Sequence, residues 1–159
     1  MLDHLSHVLP VLLSDVDEHA HINFLAIPVA AIASFVLGGL WYAPFLFGKP
    51  WAARAWAHTG GKPTGGMAKA MIVHFFSDLA MAVGLTVLIA SALTDRLPFD
   101  SEVASGAATG ALVWLAFLGP LIASFCAYNG RGIVLWLIDS GYRLGSLAVM
   151  GAILGGWHG

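Results

Sequence analysis

From Gly132 to Gly156 the chain is apolar for long enough to cross a bilayer, yet Asp139 and Arg143 stand in the middle of that run. A hydrocarbon core of about 30 Å needs about 20 consecutive apolar residues. Each ionisable group at its centre costs about 2.5 to 3.5 kcal/mol on insertion scales. The i,i+4 spacing, with the acid on the N-terminal side, predicts that the two charges pair along one helix. Whatever folds around this segment must hide the pair from lipid.

The rest of the sequence supplies suitable material. Of 159 residues, 58% are hydrophobic and 10% charged, against about 25% charged in an ordinary soluble domain. An all-α integral membrane protein follows: four transmembrane helices in a bundle, preceded by an amphipathic surface helix. The predicted spans are residues 22–47, 67–93, 102–128 and 132–157, with an interfacial arm over 1–21 and a transmembrane domain over 22–159. The arm carries Leu2, Leu5, Leu9, Leu12, Leu13 and Val16 on one stripe, interrupted by Pro10 and flanked by acids, so it is too polar to span. Its first twenty residues lack the basic start of a signal peptide.

In the first span, Ala30, Ser34 and Gly38 form a small-residue ladder that lets another backbone come close, and Trp41 and Tyr42 mark an interface. Gly106 and Gly110 do the same in the third span, where Pro120 predicts a kink. On the fourth, Tyr142 and Ser146 share a side with Asp139 and Arg143, whereas Gly141, Gly145, Ala148, Ala152 and Gly155 form a smooth opposite side. The polar side is predicted to face spans two and three, the smooth side span one or a second copy.

Lys49, Arg54, Lys62 and Lys69 cluster between spans one and two, and Arg131 lies between spans three and four. The positive-inside bias makes these loops cytoplasmic and sets both termini outside, in an inner membrane. Counting about 1.5 Å per residue from that side, Asp139 lies about 10 Å deep, and Asp78 and Arg143 about 15 to 18 Å. With His74 one turn before Asp78, the expected buried charge cluster is Asp139, Arg143, Asp78, His74 and Tyr142. It can serve as an ionic lock between helices or as a proton relay, with Asp78 and His74 titrating.

Histidines also gather near the start, with His4 and His7 at i,i+3 and His19 and His21 beside Asp15, Asp17 and Glu18. Imidazole and carboxylate there are a chemically sensible metal set at loose spacing. No cofactor is implied. No nucleophile sits beside a base, and Gly60 to Gly66 lacks the Lys-Ser/Thr ending of a phosphate loop, so an enzyme is not expected. A net charge of −2 with dispersed basic residues argues against nucleic acid.

Asn23-Phe24-Leu25-Ala26, Gly38 with Trp41-Tyr42, Phe47-Gly48-Lys49 with Trp51, Ile138-Asp139-Ser140-Gly141-Tyr142, and Gly151-Ala152-Ile153-Leu154-Gly155 together resemble the bacterial membrane family known as domain of unknown function 1761. The resemblance covers residues 22 to about 157 and implies a small four-helix inner-membrane protein without an assigned activity. His74, Asp78 and the arm lie outside its motifs. The favoured expectation is therefore a structural or accessory bundle in the lipid bilayer that forms a homo-oligomer or joins a larger membrane complex. The alternatives are a proton-coupled small transporter or channel, and periplasmic metal binding by the N-terminal histidines.

Overall fold

The computed structural model describes residues 23–57, 59, 65–93 and 97–157. The N-terminal arm, with His4, His7, His19 and His21, lies outside the described residues. Among those described, the chain is entirely helical, in the order α1 (Ala26–Trp41), α2 (Gly48–Ala55), α3 (Met67–Leu88), α4 (Glu102–Val113), α5 (Gly119–Tyr128) and α6 (Ile133–Gly156). A π turn over Ile89–Leu93 prolongs α3, and another over Trp114–Leu118 joins α4 to α5 without a break. Three stretches, Met67–Ser91, Glu102–Tyr128 and Ile133–Gly156, are long and apolar enough to cross a membrane. The first apolar helix has 16 residues, about 24 Å, and falls short of that length.

The helix ends follow local chemistry. Asn23 receives the Leu25 N–H on its side chain at 3.0 Å, and Pro28 falls in the first turn of α1, where a missing N–H costs nothing. The helix stops at Trp41, earlier than the predicted boundary at 47. Residues 42–47 fold back instead, with Phe47 N–H on the Trp41 carbonyl and Gly48 N–H on that of Ala43, because Pro44 cannot extend the ladder. Ser101 caps α4 by accepting the Ala104 N–H, and Glu102 sits in the first turn, where the helix dipole favours an acid. After α5, the Arg131 N–H bonds to Cys126 O at 2.8 Å and that of Gly130 to Ala127 O at 3.3 Å, with Gly130 at φ 62°. This is a Schellman ending, and its left-handed residue is the one place in the turn that needs glycine. At Pro120 the predicted kink takes the form of the π turn just before it, one of the ways a helix reroutes carbonyls that proline cannot satisfy.

Successive long helices run antiparallel, so α1 and α4–α5 descend as α3 and α6 rise. The closest approach is between α4 and α6. A Cβ on Gly106 would strike the Gly151 carbonyl, one on Gly110 the Leu147 carbonyl, and one on Gly155 the Glu102 carbonyl. Backbones meet there with no side chain between them, giving the extensive van der Waals contact by which small residues join apolar helices.

Along its axis the bundle has three tiers. The apolar tier packs Ala26, Ala30, Ala31, Ala82, Leu85, Ile89, Leu147, Met150 and Leu154. A buried polar tier follows at Ser34, Asp78, Tyr142 and Ser146. An aromatic tier closes the other end, where Trp41 lies against Phe47, Tyr42 against Trp51, and Trp51 against Trp56, with ring centroids 4.9 to 5.0 Å apart. Hydroxyls elsewhere in the bundle bond back one turn, as Thr86 does to Ala82 O and Thr109 to Ser105 O, and so need no partner helix.

Candidate functional site: a buried carboxylate tied to three helices

Asp78 on α3 has no solvent exposure and gathers donors from two other helices. The Arg143 guanidinium on α6 meets Oδ1 at 2.7 Å. On Oδ2 the Ser34 hydroxyl of α1 donates at 2.9 Å, and Tyr142 Oη stands at 3.4 Å. His74, one turn earlier on α3, holds Nε2 3.5 Å from Oδ2 and 2.8 Å from Tyr142 Oη. The second guanidinium arm of Arg143 reaches His74 Nδ1 at 3.3 Å, and Ser146 is hydrogen-bonded to Ser34. Among the described residues no buried side-chain nitrogen or oxygen lacks a partner, the condition under which a polar network stabilises a core.

The helices hold this arrangement through small residues. Gly38 leaves room for Tyr142, whose hydroxyl lies 3.0 Å from where a Cβ would stand. Ser34 is fully buried with Ala30 and Gly38 one turn to either side, so α1 lies close enough for a short hydroxyl to reach α3. The Phe35 ring covers His74 at 6.0 Å, and the Tyr142 ring stands 5.5 Å from it.

Asp139 is not part of that network and does not pair with Arg143, contrary to the i,i+4 expectation. Its Oδ1 accepts from Tyr42 Oη at 2.9 Å and from Trp51 Nε1 at 2.7 Å. Desolvation explains the exchange of partners. A carboxylate without solvent needs a full countercharge, whereas Asp139 is half-buried in the aromatic tier and is served by two neutral donors. The polar side of α6 accordingly faces α3, the second predicted span, as expected, and α1 in place of the third. Its small residues divide between two neighbours: Gly141 lies under the Trp41 ring and Gly145 under Leu37, both on α1, whereas Gly155 meets α4, and Ala148 and Ala152 are half-buried.

Several contributors were not read as such from sequence. Ser34 counted only as a small packing residue, and Trp51 and Gly151 only as positions in the family's motifs. Three indoles also tie helices together: Trp41 donates to Ile138 O at 3.1 Å, Trp114 to Ser140 Oγ at 3.2 Å and Trp136 to Gly119 O at 3.4 Å. Tryptophans punctuating an apolar chain were the available signal, since a buried indole N–H needs an acceptor.

The contact between Trp51 and Asp139 holds α2 against the end of the bundle. Trp51→Phe keeps the ring and removes the donor, and should cost about 1.5 to 3 kcal/mol, the usual worth of a hydrogen bond to a charged group. Amide hydrogen exchange should quicken across α2 and stay unchanged at the centre of α6. Equal rates in α2 would mean that the indole does not anchor it.

Among the described residues no three His, Cys, Asp or Glu side chains are grouped to hold a metal. Cys126 is a free, buried thiol. No curated protein and no solved structure matches the chain. The family described as Protein of unknown function (DUF1761) matches over residues 25–155, a stretch containing Asp78, Asp139, Arg143 and all of the helices above but the last residue of α6, and the chain belongs to that family.

Proposed function

We propose that this chain is a non-enzymatic, four-span protein of the inner membrane, an accessory or structural subunit whose buried ionic lock sets the helix arrangement it presents to a neighbour. The observation that carries this reading is the complete enclosure of Asp78, bonded at once to α1 and α6. Pairs of this kind fix register more than they add net stability.

The orientation follows from where the charges fall. Lys49, Arg54, Lys69 and Arg131 belong to segments at the aromatic end of the bundle, favouring that end as cytoplasmic and the termini as outside. The neighbour, a second copy or a larger complex, is favoured along α1. That helix is short for the bilayer and exposes Ile32, Val36 and Leu40 one turn apart. A short span is relieved of mismatch by associating. Val36→Cys should therefore cross-link between chains in native membranes, whereas Phe76→Cys, exposed on α3, should not. Monomer from both variants would remove the case for association along α1.

A second reading, a proton-coupled small transporter or channel, draws on His74, whose side chain is 27% exposed while its ring nitrogen faces the enclosed Asp78. Proteoliposomes loaded with a pH-sensitive dye would separate the two. A flux lost in Asp78→Asn supports transport, and none in the wild type supports the accessory role.

A further inference from the structure

Guanidinium N–H groups only donate, so the contact between Arg143 and His74 Nδ1 fixes that nitrogen as an acceptor. His74 is then neutral, with its proton on Nε2, directed at Tyr142 Oη. Tyr142 in turn can donate to Asp78 Oδ2, and Ser34 donates to the same oxygen. A path of hydrogen bonds therefore runs from His74 through Tyr142 to Asp78, with the Ser34 carbonyl, 3.3 Å from Tyr142 Oη, as the alternative acceptor of the tyrosine proton. With His74 neutral, Arg143 and Asp78 cancel, whereas Asp139 is served at contact only by the neutral donors Tyr42 and Trp51, with the charges of Arg131 and Arg143 farther off; a low-dielectric surrounding penalises a carboxylate so placed. Both donors to Asp139 use Oδ1, and Arg143 is its i+4 neighbour, within reach of Oδ2.

We infer that the cluster is a binding site for one proton, delivered to Asp78 through His74 and Tyr142, and that its arrival passes Arg143 from Asp78 to Asp139. This rests on reading the cluster as the tie between α1, α3 and α6. The proton adds to the Nδ1 lone pair of His74 at the partly exposed rim, displacing the Arg143 N–H which that lone pair had accepted. The Nε2 proton moves to Tyr142 Oη, whose own proton moves to Asp78 Oδ2. Asp78 ends neutral, Tyr142 unchanged, and His74 neutral with its proton on Nδ1. That proton now opposes an Arg143 N–H, donor against donor, and Asp78 no longer holds the guanidinium by charge. Arg143 turns to the remaining carboxylate, one turn back on its own helix. The groups bearing on His74 are Asp78 from α3, and Arg143 and Tyr142 from α6. From α1 come the uncharged Ser34 and Phe35. Asp139 is faced by Tyr42 and, from α2, by Trp51, and the charges of Arg131, just before α6, and Arg143 also bear on it.

The test uses the full chain in lipid nanodiscs. With ¹⁵N-labelled histidine, His74, assigned by its loss in His74→Gln, should carry its proton on Nε2 at about pH 8 and on Nδ1 at about pH 5, a range spanning ordinary imidazole titration. Over the same range, difference infrared spectra should gain a protonated carboxyl band that is lost in Asp78→Asn and appears only at lower pH in Asp139→Asn, where Arg143 has no second carboxylate to turn to; a band kept in Asp78→Asn would overturn the proposal. After rapid acidification that band should grow about a hundredfold more slowly in His74→Gln and Tyr142→Phe, the usual worth of a positioned proton carrier. An imidazolium without a carboxyl band, an Nδ1 proton already present at the higher pH, or unchanged rates in both variants would each overturn the proposal. The lock itself is judged separately, by the thermal stability of Arg143→Leu at the higher pH. Loss of stability without a carboxyl band rejects the proton site alone, and unchanged stability rejects the lock.

Discussion

Arg143→Leu is expected to lose about 3 to 5 kcal/mol of folding free energy, the cost of stranding an enclosed carboxylate without its countercharge. Asp78→Leu should be comparably damaging, since it abandons the guanidinium and removes the acceptor of the Ser34 hydroxyl on α3. The double variant should recover most of the loss, because an apolar pair of similar volume is often as stable as the ion pair it replaces. Thermal unfolding in detergent of the four proteins completes the cycle. If the two losses simply add, the groups are not coupled and the lock is not there. The same cycle run between Asp139 and Arg143 should show much weaker coupling, because Asp139 is held by Tyr42 and Trp51.

A comparable loss should come from a single methyl group at the α4–α6 contact. Gly106→Ala places a Cβ against the Gly151 carbonyl, and Gly151→Ala places one against that of Gly106. Neither obstacle is a side chain that can rotate away. Forcing the helices apart is expected to cost about 3 kcal/mol or more, the upper end for overpacking. The larger Gly106→Val should prevent the fold. Gly84→Ala is the matched control, since a Cβ there meets nothing within 4 Å and alanine is worth about 1 kcal/mol over glycine in a helix. Similar melting temperatures for the Gly106 and Gly84 variants would show that the two backbones do not touch.

The helical, membrane-suited character of the chain was legible because hydropathy and spacing report it directly. The early stop of α1 was less so, since the apolar pattern carries on through Phe45 and Phe47 while the backbone turns at Pro44. At the cluster, spacing along one helix proposed the wrong partner for Arg143, although depth counting had set Asp78 level with it and Asp139 nearer the surface. Sequence separation sees only one helix at a time, whereas an arginine side chain reaches across to the next. Which acid wins it depends on how completely each is cut off from water, and that is decided only when α1, α2 and α3 close around α6.

The wide turn at Trp114–Leu118 bears on how this sequence can change. Trp114 and Gly119 are five positions apart, yet they meet Ser140 and Trp136, which are four apart. The continuous helix α4–α5 thus carries one more residue than its partner, and the turn absorbs it, keeping both halves in step. Losing one residue there would restore an ordinary helix with every contact above and below in place, whereas the same deletion in α6 would put Asp139 and Arg143 out of phase with their partners. Length variation in this protein has its natural home at that turn.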